Sequence, residues 1–74
     1  MVSAMDMRKL VGGNVSRIRK EKGLTQERLS ELSGLSQQYI SDLERGKRNP
    51  TIVTIYELAQ ALSVGHLDLV TPQD

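Results

Sequence analysis

Seventy-four residues leave room for one domain with one small core, and a chain this short relies on helical packing or self-association for its stability. It contains no Phe, Trp or Cys, so the core is aliphatic, and disulfides, thiolate metal sites and cysteine nucleophiles are excluded. The net charge of +1 hides a gradient: Arg8, Lys9, Arg17, Arg19, Lys20 and Lys22 outweigh Asp6 and Glu21, whereas beyond Pro50 only Glu57, Asp68 and Asp74 are charged.

Residues 1–6 show no periodicity and are expected to be a flexible arm, with the folded domain over 7–70 and a tail over 71–74. Val11, Val15 and Ile18 recur at helical spacing with basic residues mostly between them, which predicts a first amphipathic helix. The Gly12-Gly13 pair weakens that helix by about 1 kcal/mol per glycine, so its first turn is expected to fray. Gly23 suits the C-cap, and Lys20 and Lys22 suit the dipole at that end. Thr25 is placed to cap a second helix, whose apolar side is Leu29 and Leu32 and which Gly34 ends. Ser30 sits in the same helix, where a small hydroxyl can bond back to its own helix. Ser36 caps a third helix with Ile40 and Leu43 inward, Leu35 anchoring its entry and Gly46 at its C′ position. Pro50 blocks helix just beyond, and Thr51 can cap a fourth with Ile52, Ile55, Leu58, Ala59 and Leu62 as its core stripe. A last short turn of helix runs between Val64 and Val70 through Leu67 and Val70, bordered or capped by His66, and Pro72 closes it. The fold class is all-α with five helices.

The third helix, about residues 36–45, carries the chemistry. With Ile40 and Leu43 inward, Gln37, Gln38, Ser41, Asp42 and Arg45 point outward and Tyr39 lies at the edge. An ordinary surface helix favours strong helix formers and Glu–Lys pairs; adjacent glutamines instead offer paired donors and acceptors, the pattern that adenine N6 and N7 require. The short helix and Gly34-Leu35-Ser36 connection ahead of it have helix-turn-helix spacing. Thr25 and Gln26 begin the supporting helix, where amide N–H groups can hold a phosphate. Arg45, Lys47, Arg48 and Asn49 follow as a compact cationic exit suited to the next phosphates.

The residues Leu24-Thr25-Gln26-Glu27, Leu29-Ser30, Gly34, Ser36, Tyr39-Ile40-Ser41, Leu43-Glu44, Gly46 and Pro50 resemble the phage repressor and Cro type of helix-turn-helix proteins, the xenobiotic-response-element class. The resemblance covers about residues 8–70 and implies a five-helix, lambda-repressor-like DNA-binding domain that regulates transcription as a homodimer. It implies base reading or groove contact by Gln37, Gln38, Ser41 and Asp42, and backbone contacts by Gln26, Tyr39, Lys47, Arg48 and Asn49. It further implies that Arg19 pairs with Glu44, tying the recognition helix to the scaffold. Asp42 is acidic in a groove-facing row, suited to accepting from a cytosine amino group or to repelling wrong sites. The exit from Glu44 to Pro50 is also similar to that of restriction–modification controller proteins and of small antitoxins with this fold.

Double-stranded DNA and a second copy of the chain are the expected partners, with the acidic part from Ile52 to Val70 as the dimer surface. The alternative is a helical protein-interaction module, or an antitoxin-like partner protein, with weak or no DNA binding. An enzyme is not expected: cysteine is absent, His66 is the single histidine, and no carboxylate cluster stands out. No metal or other cofactor is implied. No apolar run reaches membrane length and the N-terminus lacks a signal-peptide core, so the cytoplasm is the expected location.

Overall fold

The computed structural model describes residues 3–72. They form α1 (Ala4–Glu21), α2 (Gln26–Ser33), α3 (Gln37–Glu44), α4 (Ile52–Leu62) and α5 (Leu67–Val70), with no strand among the described residues. Four helices begin at a hydroxyl. The side chains of Ser3, Thr25, Ser36 and Thr51 accept from the N–H groups of Asp6, Arg28, Tyr39 and Thr54 at 3.0–3.2 Å, each satisfying a donor that the helix start leaves unpaired. Gly23, Gly34 and Gly46 have φ of 71°, 79° and 77°, where a left-handed residue ends a helix cheaply.

The core is formed by Val11, Val15 and Ile18 of α1, Leu29 of α2, Ile40 and Leu43 of α3, Leu58, Ala59 and Leu62 of α4, and Leu69 of α5. α1 packs on α3, α4 and α5, while α2 packs on α3 and α4. α1 is therefore the strut that joins α3 to the C-terminal helices α4 and α5.

Several expectations change. The arm expected over 1–6 is already helical from Ala4, because Ser3 caps α1 and Asp6 lies in its positive first turn; Met1 and Val2 lie outside the described residues. The glycine pair does not fray α1. Gly12 is buried against the end of α3, where a Cβ would overlap the Leu43 carbonyl oxygen and lie 3.2 Å from the Glu44 carbonyl. Glycine here permits close approach of two backbones. Of the expected α4 stripe, Ile52 is 85% exposed while Ile55 packs against the core, and Leu32 of α2 is 44% exposed. In α5 the inward anchor is Leu69, fully buried, while Leu67 is 65% exposed. His66 borders α5 without a side-chain capping bond. The tail is tied down at its start: the Asn14 side chain, 3% exposed, donates to the carbonyls of Leu69 and Thr71, both at 3.0 Å. Gln73 and Asp74 lie outside the described residues. None of the helices described is long and apolar enough to cross a membrane.

Candidate nucleic-acid interface

Three residues, Gly34, Leu35 and Ser36, turn the chain from α2 into α3. The left-handed Gly34 makes the reversal, and the Leu35 N–H donates to the Ser33 hydroxyl at 3.2 Å. Ser30 departs from its expected bond within α2: its hydroxyl donates to the Leu35 carbonyl across the turn. That carbonyl lies outside both helices and lacks a ladder partner, so a short hydroxyl at the helix crossing is the nearest donor. The turn is thereby tied to α2 from within.

Ile40 and Leu43 are fully buried, which fixes the rotation of α3. Gln38 is exposed on the opposite side and Gln37 on its flank, with Ser41 and Asp42 half-buried in the same outward row. Arg45 follows as the C-cap residue, and Lys47, Arg48 and Asn49 are all exposed beyond it. The ring of Tyr39, packed against the core, carries the Arg48 guanidinium 5.2 Å from its centroid. The amides thus lie at the start of α3 and the cations of the exit just beyond its end, with Ser41 and Asp42 between them.

Thr25 and Ser36 take part through their caps, so their hydroxyls are engaged within the protein. The start of α2 leaves the N–H groups of Gln26 and Glu27 without an intrahelical acceptor. The Gln26 side chain is half-buried and donates to Glu44 Oε1 at 2.9 Å.

Arg19 and Glu44 meet as a two-pronged pair, Nε to Oε2 at 2.7 Å and Nη2 to Oε1 at 3.1 Å, with side chains 11% and 7% exposed. Arg19 Nη1 also donates to the Leu24 carbonyl at 2.7 Å. One guanidinium therefore joins α1, the loop before α2 and the last residue of α3. Glu44 is turned into the protein.

Asp42 has its own set of partners. Its Oδ1 accepts from Gln38 Nε2 at 3.0 Å and from Arg45 Nη2 at 2.6 Å, and its Oδ2 faces Arg48 Nη2 at 3.5 Å. The hydrogen bond from Arg45 chiefly holds this carboxyl below the usual carboxylate range. Partial burial opposes it, while Gln38 and the charges of Arg45 and Arg48 reinforce it. The group is ionised at neutral pH.

Sequence reasoning missed the packing roles of Gly12 and Asn14 and the internal bonds of Asp42. Gly12 seats α3 on α1, and a glycine inside a helical pattern is a signal of close packing. Asn14 ties α5 to α1, and nothing local marks it. The bonds that Asp42 makes within its own helix follow from spacings of three and four residues and are legible in principle.

Comparison with known proteins places this geometry in context. The helix-turn-helix family HTH_3 matches residues 15–69. The chain is 69% identical over 70 residues to an uncharacterized HTH-type transcriptional regulator, y4dJ, of Sinorhizobium fredii, covering 95% of this chain and 91% of that one. The restriction–modification controller protein C.AhdI from Aeromonas hydrophila superposes with a TM-score of 0.81 at 40% identity, over 84% of this chain and 94% of that one. The controller protein C.Esp1396I, solved as a tetramer in complex with its natural 35 base-pair operator, superposes with a TM-score of 0.79 at 36% identity, over 85% and 83% of the two chains.

Proposed function

The chain belongs to the helix-turn-helix family of transcriptional regulators, and from that premise we propose that it regulates transcription by occupying a specific duplex site as a homodimer, with α3 in the major groove. The observation that carries this reading is the rotation of α3. Burying Ile40 and Leu43 turns Gln37, Gln38 and Ser41 outward beside the cationic exit formed by Arg45, Lys47, Arg48 and Asn49. Base edges are read from that row, in which Asp42 also stands, while Tyr39, the exit and the starts of α2 and α3 at Thr25, Gln26 and Ser36 hold the backbone. The domain that does this runs from Ala4, where α1 begins, rather than from residue 7, to Val70 at the end of α5. Its location follows its partner: a DNA-binding regulator works where the DNA is, here the cytoplasm.

Replacing Gln37 or Gln38 by Ala is expected to cost about 1–3 kcal/mol at one base position and to relax the preference there. Replacing Arg48 is expected to weaken all sequences about equally. Selection from randomised duplexes, followed by titration at several salt concentrations, checks both. If neither glutamine variant alters the selected site, the base-reading assignment fails. If the parent protein enriches no sequence and its binding does not weaken with salt, the interaction-module reading takes its place.

The second copy has a surface to meet. Ile52, Val53, Tyr56 and Leu67 are 85%, 65%, 53% and 65% exposed, and the first three border an apolar groove of about 590 Å³ with Ile55, His66 and Val70. This face lies within the acidic part of the chain expected to pair, and a contiguous apolar patch on so small a domain marks an interface. Two copies joined there would present their α3 helices to half-sites about 34 Å apart. Ile52→Asp changes a side chain that packs on little within one subunit. It should leave helicity unchanged, convert dimer to monomer in sedimentation velocity, and weaken site binding about a hundredfold by removing the linked second half-site. A variant that still sediments as a dimer would place the interface elsewhere.

A further inference from the structure

Asp42 is the one acidic side chain in the outward row of α3, and its carboxylate is occupied from inside the protein. Gln38, Arg45 and Arg48 take three of its roughly four lone-pair directions, and the side chain is only 19% exposed although its two arginine partners are 55% and 48% exposed. A base-reading carboxylate needs open acceptors directed outward. The acceptors here are directed along the helix toward its own neighbours.

The consequence falls on Gln38. A free glutamine amide turns over easily and offers either its NH2 or its oxygen to a base edge, so it discriminates weakly between bases. A carboxylate only accepts, so the Gln38 group held 3.0 Å from Asp42 is the NH2, and the carbonyl oxygen is left to face away. In the major groove an outward oxygen accepts from adenine N6 or cytosine N4. It meets only acceptors at guanine O6 and N7 and at thymine O4. The same carboxylate draws Arg45 and Arg48 along α3, which lowers the charge available to phosphates.

We propose that Asp42 is a positioning residue for specificity: it orients the Gln38 amide to select a base bearing an exocyclic amino group and restrains Arg45 and Arg48 from indiscriminate phosphate binding. This rests on the reading that Gln38 faces base edges, and the test separates the two.

The test is selection from a randomised duplex pool with the parent, Gln38→Ala, Asp42→Ala and Asp42→Asn, followed by binding to selected and unrelated duplexes over a range of salt. Thermal melts monitored by circular dichroism confirm that each variant is folded. In the parent, the position that Gln38→Ala relaxes should be adenine or cytosine. Asp42→Ala should relax that same position by about tenfold. It should also bind unrelated duplex more tightly and steepen the slope of log K against log salt by about one unit per subunit. Asp42→Asn keeps a carbonyl acceptor for the Gln38 NH2 but loses the charge. It should restore the base preference while retaining the steeper salt slope, a separation that a purely structural role would not produce. If Gln38→Ala alters no position, the base-facing reading falls and the proposal with it. If Gln38→Ala alters a position and Asp42→Ala leaves it unchanged, only the positioning role is overturned. Relaxation at a different position would show Asp42 reading a base directly, which also overturns it.

Discussion

Replacing Glu44 by Ala is expected to destabilise the protein by about 3–5 kcal/mol, the usual cost of leaving one member of a buried ion pair without its partner. The pair qualifies because both side chains are nearly enclosed, at 11% and 7% exposed, and because the contact is two-pronged. Removing the carboxylate strands the Arg19 guanidinium beneath α3 with only the Leu24 carbonyl, and also strands the Gln26 amide. Domains of this kind are stable by roughly 0.05–0.15 kcal/mol per residue, so the loss approaches the whole for a short chain. Urea unfolding at fixed protein concentration measures it, since any dimer adds concentration dependence. The combined variant Arg19→Met, Glu44→Leu should recover most of the loss, because apolar side chains of similar size replace a desolvated pair at little cost. A combined loss equal to the sum of the two single losses would mean that the side chains do not act as a pair.

Gly12→Ala is expected to cost about 2–3 kcal/mol, toward the upper end for overpacking. Gly13→Ala, one residue away, is expected to stabilise by about 0.5–1 kcal/mol. The opposite signs come from what a methyl group meets. At Gly12 it collides with the carbonyl of Leu43 and crowds that of Glu44, main-chain atoms that move only if α1 and the end of α3 separate; at Gly13 nothing lies within 4 Å. Both residues are helical, so alanine lowers the unfolded-state entropy at each, and only at Gly12 does the collision outweigh that gain. Because Arg45 and the cationic exit continue directly from Leu43 and Glu44, Gly12→Ala should also weaken DNA binding. Thermal melts of the two variants under one condition decide the matter. Equal effects would show that the two backbones are not in close contact.

These two sites mark a division in how much could be read from the chain. Thr25, Ser36 and Thr51 were legible as helix starts because a cap is a local bond from a hydroxyl to an N–H three residues on. The glycine turn and the amide face of α3 were legible for the same reason: 3.6-residue periodicity places Gln38 opposite Ile40 and Leu43, with Gln37 at the flank of that face, whatever the rest of the molecule does. The Arg19–Glu44 pair was expected from resemblance alone, since nothing local connects residues 25 positions apart.

What the sequence determined by itself is therefore the set of five helices, the caps of α2, α3 and α4 and the outward row of α3, all governed by contacts within a few residues. Only the tertiary structure decided which apolar residues face the core and which stay exposed, leaving Ile52 and Leu67 outside while Leu69 is enclosed. Periodicity reports a face of a helix but not what covers it. Tertiary packing also made Gly12 a contact point rather than a weak turn, and placed Asn14 on the carbonyls of Leu69 and Thr71. Those outcomes depend on how closely two distant backbones approach, a distance that no local propensity contains.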